Sequence, residues 1–201
     1  MAETFRDLEN APSVGGASAI VIADPSGAGA VPVPAVGGLD TDLFREGETV
    51  EVDGSGGWAT LPEVRAAEVV TAFLVRDDGR VLLLRRSAKV GSFVGRWAGV
   101  SGYLEEPSPE GQARTEIREE TGLAPDAVTL ERAGEIVYAR DGATVYVVHP
   151  FLFRVGTSEI RLDWEHTELA WVDPVEIGRR PTVPKLDRAW RAVASAGARK
   201  R

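Results

Sequence analysis

The sequence predicts an α/β sandwich preceded by a small β-rich segment, rather than a doubly wound sheet. Three observations lead there. Two apolar runs, Val69-Val-Thr-Ala-Phe-Leu-Val75 and Val81-Leu-Leu-Leu84, flank the turn Asp77-Asp-Gly-Arg80 and read as a buried hairpin. One well-delimited helix follows, then further strands, then a last helix, so the order is strand, strand, helix, strands, helix. Residues 1–66 have another texture, in which glycine, proline and valine recur and short β-like runs are cut by turns.

In chain order, the candidate strands of the first segment are Ala19-Ile-Val-Ile-Ala23, Ala30-Val-Pro-Val-Pro-Ala-Val36, Thr49-Val-Glu-Val52 and Trp58-Ala-Thr-Leu61. Asp53-Gly-Ser-Gly-Gly57 joins the last two as a hairpin turn. A domain boundary falls between Pro62 and Ala66, dividing a non-catalytic module, residues 1–66, from the main domain, residues 67–201. After the hairpin a loop runs to Arg96, and Trp97-Ala-Gly-Val100 leads into a glycine turn. Ser108 as N-cap and Pro109 in the first helical position start a helix that Gly122 stops, giving Pro109–Thr121. Strands are expected at Gly134–Ala139 and Thr144–Val155, a short helix after Pro174, and a final helix over Pro184–Ala196. The ending Arg199-Lys-Arg201 is a solvated tail.

Composition narrows the chemistry. Acidic residues outnumber basic ones by 31 to 23, a formal charge of −8, which argues against a nucleic-acid or anionic-membrane partner. A phosphate-bearing substrate would have to be received locally, by a few cations or a metal. Cysteine is absent, which removes disulfides, thiolate metal sites and cysteine nucleophiles. The first residues carry no positive start followed by an apolar run, and no stretch approaches the roughly 18 apolar residues of a membrane span, so a cytoplasmic location is expected.

The acid on the central helix is the feature that ordinary packing explains worst. Glu116, Glu119 and Glu120 stand at i, i+3 and i+4, which places three carboxylates on one face. Uncompensated, each like-charged pair costs about 0.2–0.5 kcal/mol. A solvated acidic face, with Ala113 and Ile117 turned to the core, is the bland account. A hard divalent cation is the sharper one, because magnesium prefers oxygen ligands and retains waters and substrate phosphates.

The flanking residues decide between them. Glu116-Ile-Arg-Glu-Glu-Thr-Gly-Leu123, preceded by Gly102, closely resembles the Nudix box, and Val81-Leu-Leu-Leu-Arg-Arg86, Gly95-Arg-Trp97 and Glu165-His-Thr-Glu-Leu-Ala-Trp-Val172 fit its surroundings. The resemblance covers about residues 68–196 and implies the Nudix α/β/α sandwich with a mixed sheet. There are two departures. The box expects an arginine immediately before Glu116, where Thr115 stands; Arg114, one place earlier, is turned about 100° around the helix. The loop is also one residue short, so Pro107 falls where a glutamate is usual, with Glu105 and Glu106 as substitutes.

The resemblance implies a pyrophosphohydrolase acting on a nucleoside diphosphate linked to another group, such as a nucleotide sugar, a dinucleotide or a nucleoside triphosphate. It assigns magnesium, with manganese as the alternative ion, to Glu116, Glu119 and Glu120, joined by the backbone carbonyl of Ser101 beside Gly102 and by Glu165, with Glu168 as the fallback. Glu116 is also the candidate for orienting or deprotonating the attacking water. Arg85 and Arg86, with the backbone at Gly102, are the candidate phosphate contacts. A homodimer is the assembly common among such relatives. The competing function is a Nudix-fold sensor that binds a nucleotide without cleaving it, which Thr115 and Pro107 would explain. A metal-dependent isomerase on the same fold is disfavoured because the chain lacks the cysteine that usually serves as its acid.

Other residues read as structural. His149 lies in an apolar strand and His166 in a polar loop, and neither supports a competing metal site. Trp97 and Trp171 read as core, and Trp164, among acids, is the better base-stacking group. Pro25-Ser-Gly-Ala-Gly29 and Gly54-Ser-Gly-Gly57 lack the context of phosphate loops and read as turns. Residues 15–61 faintly resemble the swivelling phosphohistidine domain of phosphoenolpyruvate-utilising enzymes, but Ala19 stands where that family has its histidine. No nucleophile is left for phosphoryl transfer there.

Overall fold

The computed structural model describes residues 40–53, 55–156 and 159–194, and before them the backbone of 2–7, 19–24 and 35–37. The chain divides into two compact units, one of residues 1–66 with 140–145, the other of 67–139 with 146–201.

The first unit holds a three-stranded parallel sheet in the order β1 (Ala2–Asp7), β2 (Ala19–Asp24), β3 (Ala35–Gly37). A two-stranded antiparallel ribbon, β4 (Glu51–Asp53) and β5 (Trp58–Thr60), follows. Its turn is held by Asp53, whose carboxylate accepts from the backbone N–H of Ser55 and Gly56, both at 2.9 Å. The sequence did not mark β1, and of the strand expected over Ala30–Val36 the first five residues lie outside the described ones. Within this unit Arg140 has its side chain only 4% exposed, ion-paired with Glu48 and donating to the carbonyl of Leu43. Arg140 holds the Glu48 carboxyl below its usual range.

The second unit is built on one eight-stranded sheet, the mixed sheet of the expected sandwich. Its members are β6 (Arg65–Val75), β7 (Val81–Arg86), β8 (Trp97–Ala98), β9 (Val100–Tyr103), β10 (Val128–Ala133), β11 (Val137–Asp141), β12 (Thr144–Val155) and β13 (His166–Val172). The main path runs β10-β12-β6-β7-β13, with β11 on β12, β8 on β7 and β9 on β6. Helix α1 (Pro109–Thr121) covers one face, burying Ala113 and Ile117 against Val70, Leu82, Val100 and Phe153. Helix α2 (Leu186–Ala194) covers the other with Leu186, Ala189 and Val193 against Phe73, Val81 and Leu83. The β6–β7 runs are apolar on both faces because both faces are covered.

The structure extends or shifts several expected elements. The strand expected over Gly134–Ala139 is β11, displaced to Val137–Asp141, and β10 precedes it. His166–Val172 is a strand at the sheet edge, where Thr167, Glu168 and Leu169 reach solvent. The helix after Pro174 is a 3₁₀ segment, Pro174–Arg179, opened by a capping box from Asp173 and Glu176. The final helix begins at Leu186, and its expected last residues, 195 and 196, lie outside the described ones, as does the tail.

Candidate active site

Local signals place α1. The Ser108 side chain accepts from the Gly111 N–H at 3.3 Å, Pro109 opens the helix, and Gly122 ends it at φ 70°, a left-handed conformation that suits glycine. Packing of Ala113 and Ile117 then turns the 116–120 edge towards β9 and the loop before β13.

Glu120 is buried in this edge and Glu116 half-buried beside it. Glu120 is 2% exposed, and its carboxylate accepts from the backbone N–H of Ser101 at 3.3–3.4 Å. Burial, then the charges of Glu116 and Asp163, push the Glu120 carboxyl well above the usual range, with Glu165 adding to the effect. Burial is also the main cause raising Glu116, followed among the raising influences by the charges of Glu119, Glu165 and Glu105. Gly102 makes room for Glu116: a Cβ on Gly102 would lie 1.8 Å from Glu116 Oε1. Glu119 points outward, its side chain 58% exposed and paired with Arg118 at 3.2 Å.

Two residues that sequence reasoning passed over organise these acids. Gln112 is buried; its carbonyl oxygen accepts from the backbone N–H of Glu105 and Glu106, each at 3.0 Å, and its amide donates to Glu116 Oε1 at 2.8 Å. Its place one helical turn before Glu116 was the available signal. His166, read as a polar-loop residue, is buried at the start of β13. Its Nδ1 lies 3.0 Å from Asp163 and its Nε2 3.9 Å from Glu120, and burial lowers its pKa. The neighbouring acids Asp163 and Glu165 would have suggested a solvated ring.

The remaining candidates divide. Ser101 sits on β9 opposite Thr71, their hydroxyls 3.1 Å apart. The charge of Glu165 reaches both Glu116 and Glu120, and its loop is tied to the end of β7 by the Ser87 N–H donating to the Glu165 carbonyl at 2.7 Å. Arg85 is ion-paired at 2.6 Å with Glu168, its cross-strand partner on β13. Arg86 donates to the Ser92 carbonyl at 2.9 Å and so braces the loop from Ser87 to Arg96. Trp164 is 59% exposed while its carbonyl accepts from the Ser87 hydroxyl at 3.0 Å. Trp97 is buried as expected, and His149 pairs with Glu68 at 3.0 Å on the sheet.

Residues 65–193 match the family model of the NUDIX domain. By structure the chain is similar to the MutT protein of Methanosarcina mazei Go1, with 25% identity and a TM-score of 0.54 over 63% of this chain and 90% of that one. It is similar to the E. coli ORF135 protein, with 25% identity and a TM-score of 0.52 over 70% and 99%. The fold is also shared with a C. elegans Ap4A hydrolase, at 18% identity and a TM-score of 0.54 over 63% and 93%. No curated protein matches by sequence. A family match that spans more than half of the chain, and includes the helix bearing Glu116, Glu119 and Glu120, makes this protein a member of the Nudix family and a Nudix hydrolase.

Proposed function

We propose that this enzyme uses bound magnesium, with manganese as the alternative ion, to hydrolyse the pyrophosphate bond of a nucleoside diphosphate linked to a second group. The carrying observation is the pair Glu116 and Glu120: two carboxylates from one helix face, one half-buried and one buried, both raised in pKa chiefly by burial, with the charge of Glu116 adding to the effect on Glu120 and that of Glu165 to both. Holding acids this way costs free energy in the protein alone, and a hard divalent cation offsets it. The donor set fits the ion, being made of carboxylates and backbone oxygen. Among the described residues no three His, Asp or Glu side chains stand close enough to enclose a cation. As they lie, the acids are not gathered around an ion, so binding requires Glu119 and Glu165 to turn toward Glu116 and Glu120, with waters and substrate phosphates completing the shell.

In this reading Glu116, Glu120, Glu165 and the Ser101 carbonyl hold the metal, joined by Glu119 once it leaves its exposed pair with Arg118, and the ion when bound would neutralise pyrophosphate oxygens and lower the pKa of water. Glu116 orients the attacking water or takes its proton, held in place by Gln112 and by the space at Gly102. Glu120 fixes the edge through Ser101, and His166 with Asp163 closes the buried side. Arg85 exchanges its exposed pair with Glu168 for a substrate phosphate, an inexpensive exchange because such surface pairs are worth about 0.2–1 kcal/mol. Arg86 holds the 87–96 loop and offers its remaining N–H donors. Trp164 offers an exposed face to a nucleobase. Residues 1–66 take no part in the chemistry.

Product analysis on nucleotide sugars, dinucleotides and nucleoside triphosphates, each with Mg²⁺ and with chelator, tests this. The expected result is Mg²⁺-dependent release of a nucleoside monophosphate from one of these classes. Tight binding of a nucleotide with no cleavage in any class would transfer the site to the sensor function.

A further inference from the structure

This inference rests on the reading of Glu116 as a metal-facing residue. The Nudix pattern sets an arginine immediately before that glutamate to orient it, and here the position is Thr115. The Thr115 hydroxyl is committed to Glu106 at 2.7 Å. Arg114 is committed to Glu110 at 3.0 Å and lies over the Phe153 ring at 5.1 Å. Neither supplies the hydrogen bond that Glu116 receives.

We propose that Gln112 is the positioning residue for Glu116, doing with a neutral amide what the family pattern assigns to arginine. The amide cannot turn over without loss. Its oxygen takes two backbone donors, Glu105 and Glu106 at 3.0 Å each, so a flip would set an NH₂ group against two N–H groups. The loop therefore fixes the amide, and the amide, 2.8 Å from Glu116 Oε1, fixes the carboxylate. Burial of Gln112 to 5% exposure keeps water from substituting for either bond. The one-residue-short loop bearing Pro107 becomes part of the device, because it carries the two N–H groups to the helix face. A neutral donor orients Glu116 without cancelling its charge, which leaves that charge for the cation.

Two variants separate this role from simple bracing of the loop. Gln112→Met keeps the volume and removes both functions. Gln112→Glu keeps an acceptor for the two N–H groups but, at mildly alkaline pH, sets a carboxylate against Glu116. The readouts are Mn²⁺ affinity by electron paramagnetic resonance, kcat and KM on a substrate cleaved by the wild type, and thermal unfolding as the control for folding. We expect both variants to bind Mn²⁺ at least about tenfold more weakly and to lose at least about tenfold in kcat, with KM within about threefold. Wild-type Mn²⁺ affinity and kcat in Gln112→Glu would overturn the proposal and reduce Gln112 to a loop brace. That variant decides the matter if Gln112→Met fails to fold. A wild type that binds no Mn²⁺ removes the metal reading beneath the proposal and the proposal with it. A wild type that binds Mn²⁺, beside variants of unchanged affinity, removes the proposal alone.

Discussion

Gly102→Ala separates the site from the fold more sharply than any change to the acids. The added methyl would sit 1.8 Å from Glu116 Oε1, whereas ordinary contact begins at 3.4 Å, so the carboxylate must retreat by about 1.6 Å. That movement breaks the 2.8 Å hydrogen bond from Gln112. A misplacement of about 1 Å in a catalytic group can cost about 10²-fold in rate, so kcat/KM should fall by at least about 10²-fold. Stability should change little, because the obstructing atoms are the far end of the flexible Glu116 side chain on α1, and Gly102 itself lies on the strand β9. The lower end of the overpacking range, about 1 kcal/mol, is expected. That corresponds to a Tm shift of about 2–4 °C for a chain of this size. Steady-state kinetics and thermal unfolding on the same preparations test both halves. Activity within twofold of the wild type would refute the contact, and loss of the folding transition would show that Gly102 serves the sheet instead.

Three further outcomes follow from the same geometry. Glu120 has its folded-state pKa raised, so it contributes most to stability below the ordinary carboxylate value, and that contribution is lost as pH rises through the raised value. In chelator, Glu120→Gln should therefore raise Tm at neutral and alkaline pH, with the gain shrinking in acid; a lower Tm at every pH would contradict the buried-charge account. Added Mg²⁺ should raise the wild-type Tm in proportion to RT ln(1 + [Mg²⁺]/Kd) and leave Glu120→Gln nearly unmoved, and an equal rise in both would move the cation elsewhere. Arg140→Met should cost the first unit about 1–3 kcal/mol, since it strands Glu48 and the Leu43 carbonyl, and should speed proteolytic cleavage within residues 1–66. Unchanged proteolysis would show the pair to be dispensable.

How far the sequence could be read depended on the range of the signal. Helix α1 was legible because its start, its stop and its acidic face are written in consecutive residues, and the β6–β7 hairpin because two apolar runs flank one turn. Strand β13 was not, since an edge strand keeps one side in water and His-Thr-Glu-Leu-Ala-Trp-Val lacks a clean apolar run. Gln112 looked like an ordinary helical residue until the loop folded back to place Glu105 and Glu106 over it. His166 looked solvated until Asp163 and Glu120 enclosed it. The Arg140–Glu48 pair joins residues 92 positions apart, which no local pattern encodes. Arg85 was legible as a cation near the site, but its pairing with Glu168 depends on strand register.

Metal-dependent hydrolysis through Glu120 is tested by single-turnover cleavage of the best nucleoside diphosphate derivative by the wild type and by Glu120→Gln, each with Mg²⁺ and with chelator. Cleavage is expected only for the wild type with metal, and Glu120→Gln should lose more than the roughly 10–100-fold typical of changes to residues that merely support a metal ligand. Cleavage that survives the chelator, or that Glu120→Gln performs at the wild-type rate, would contradict that mechanism.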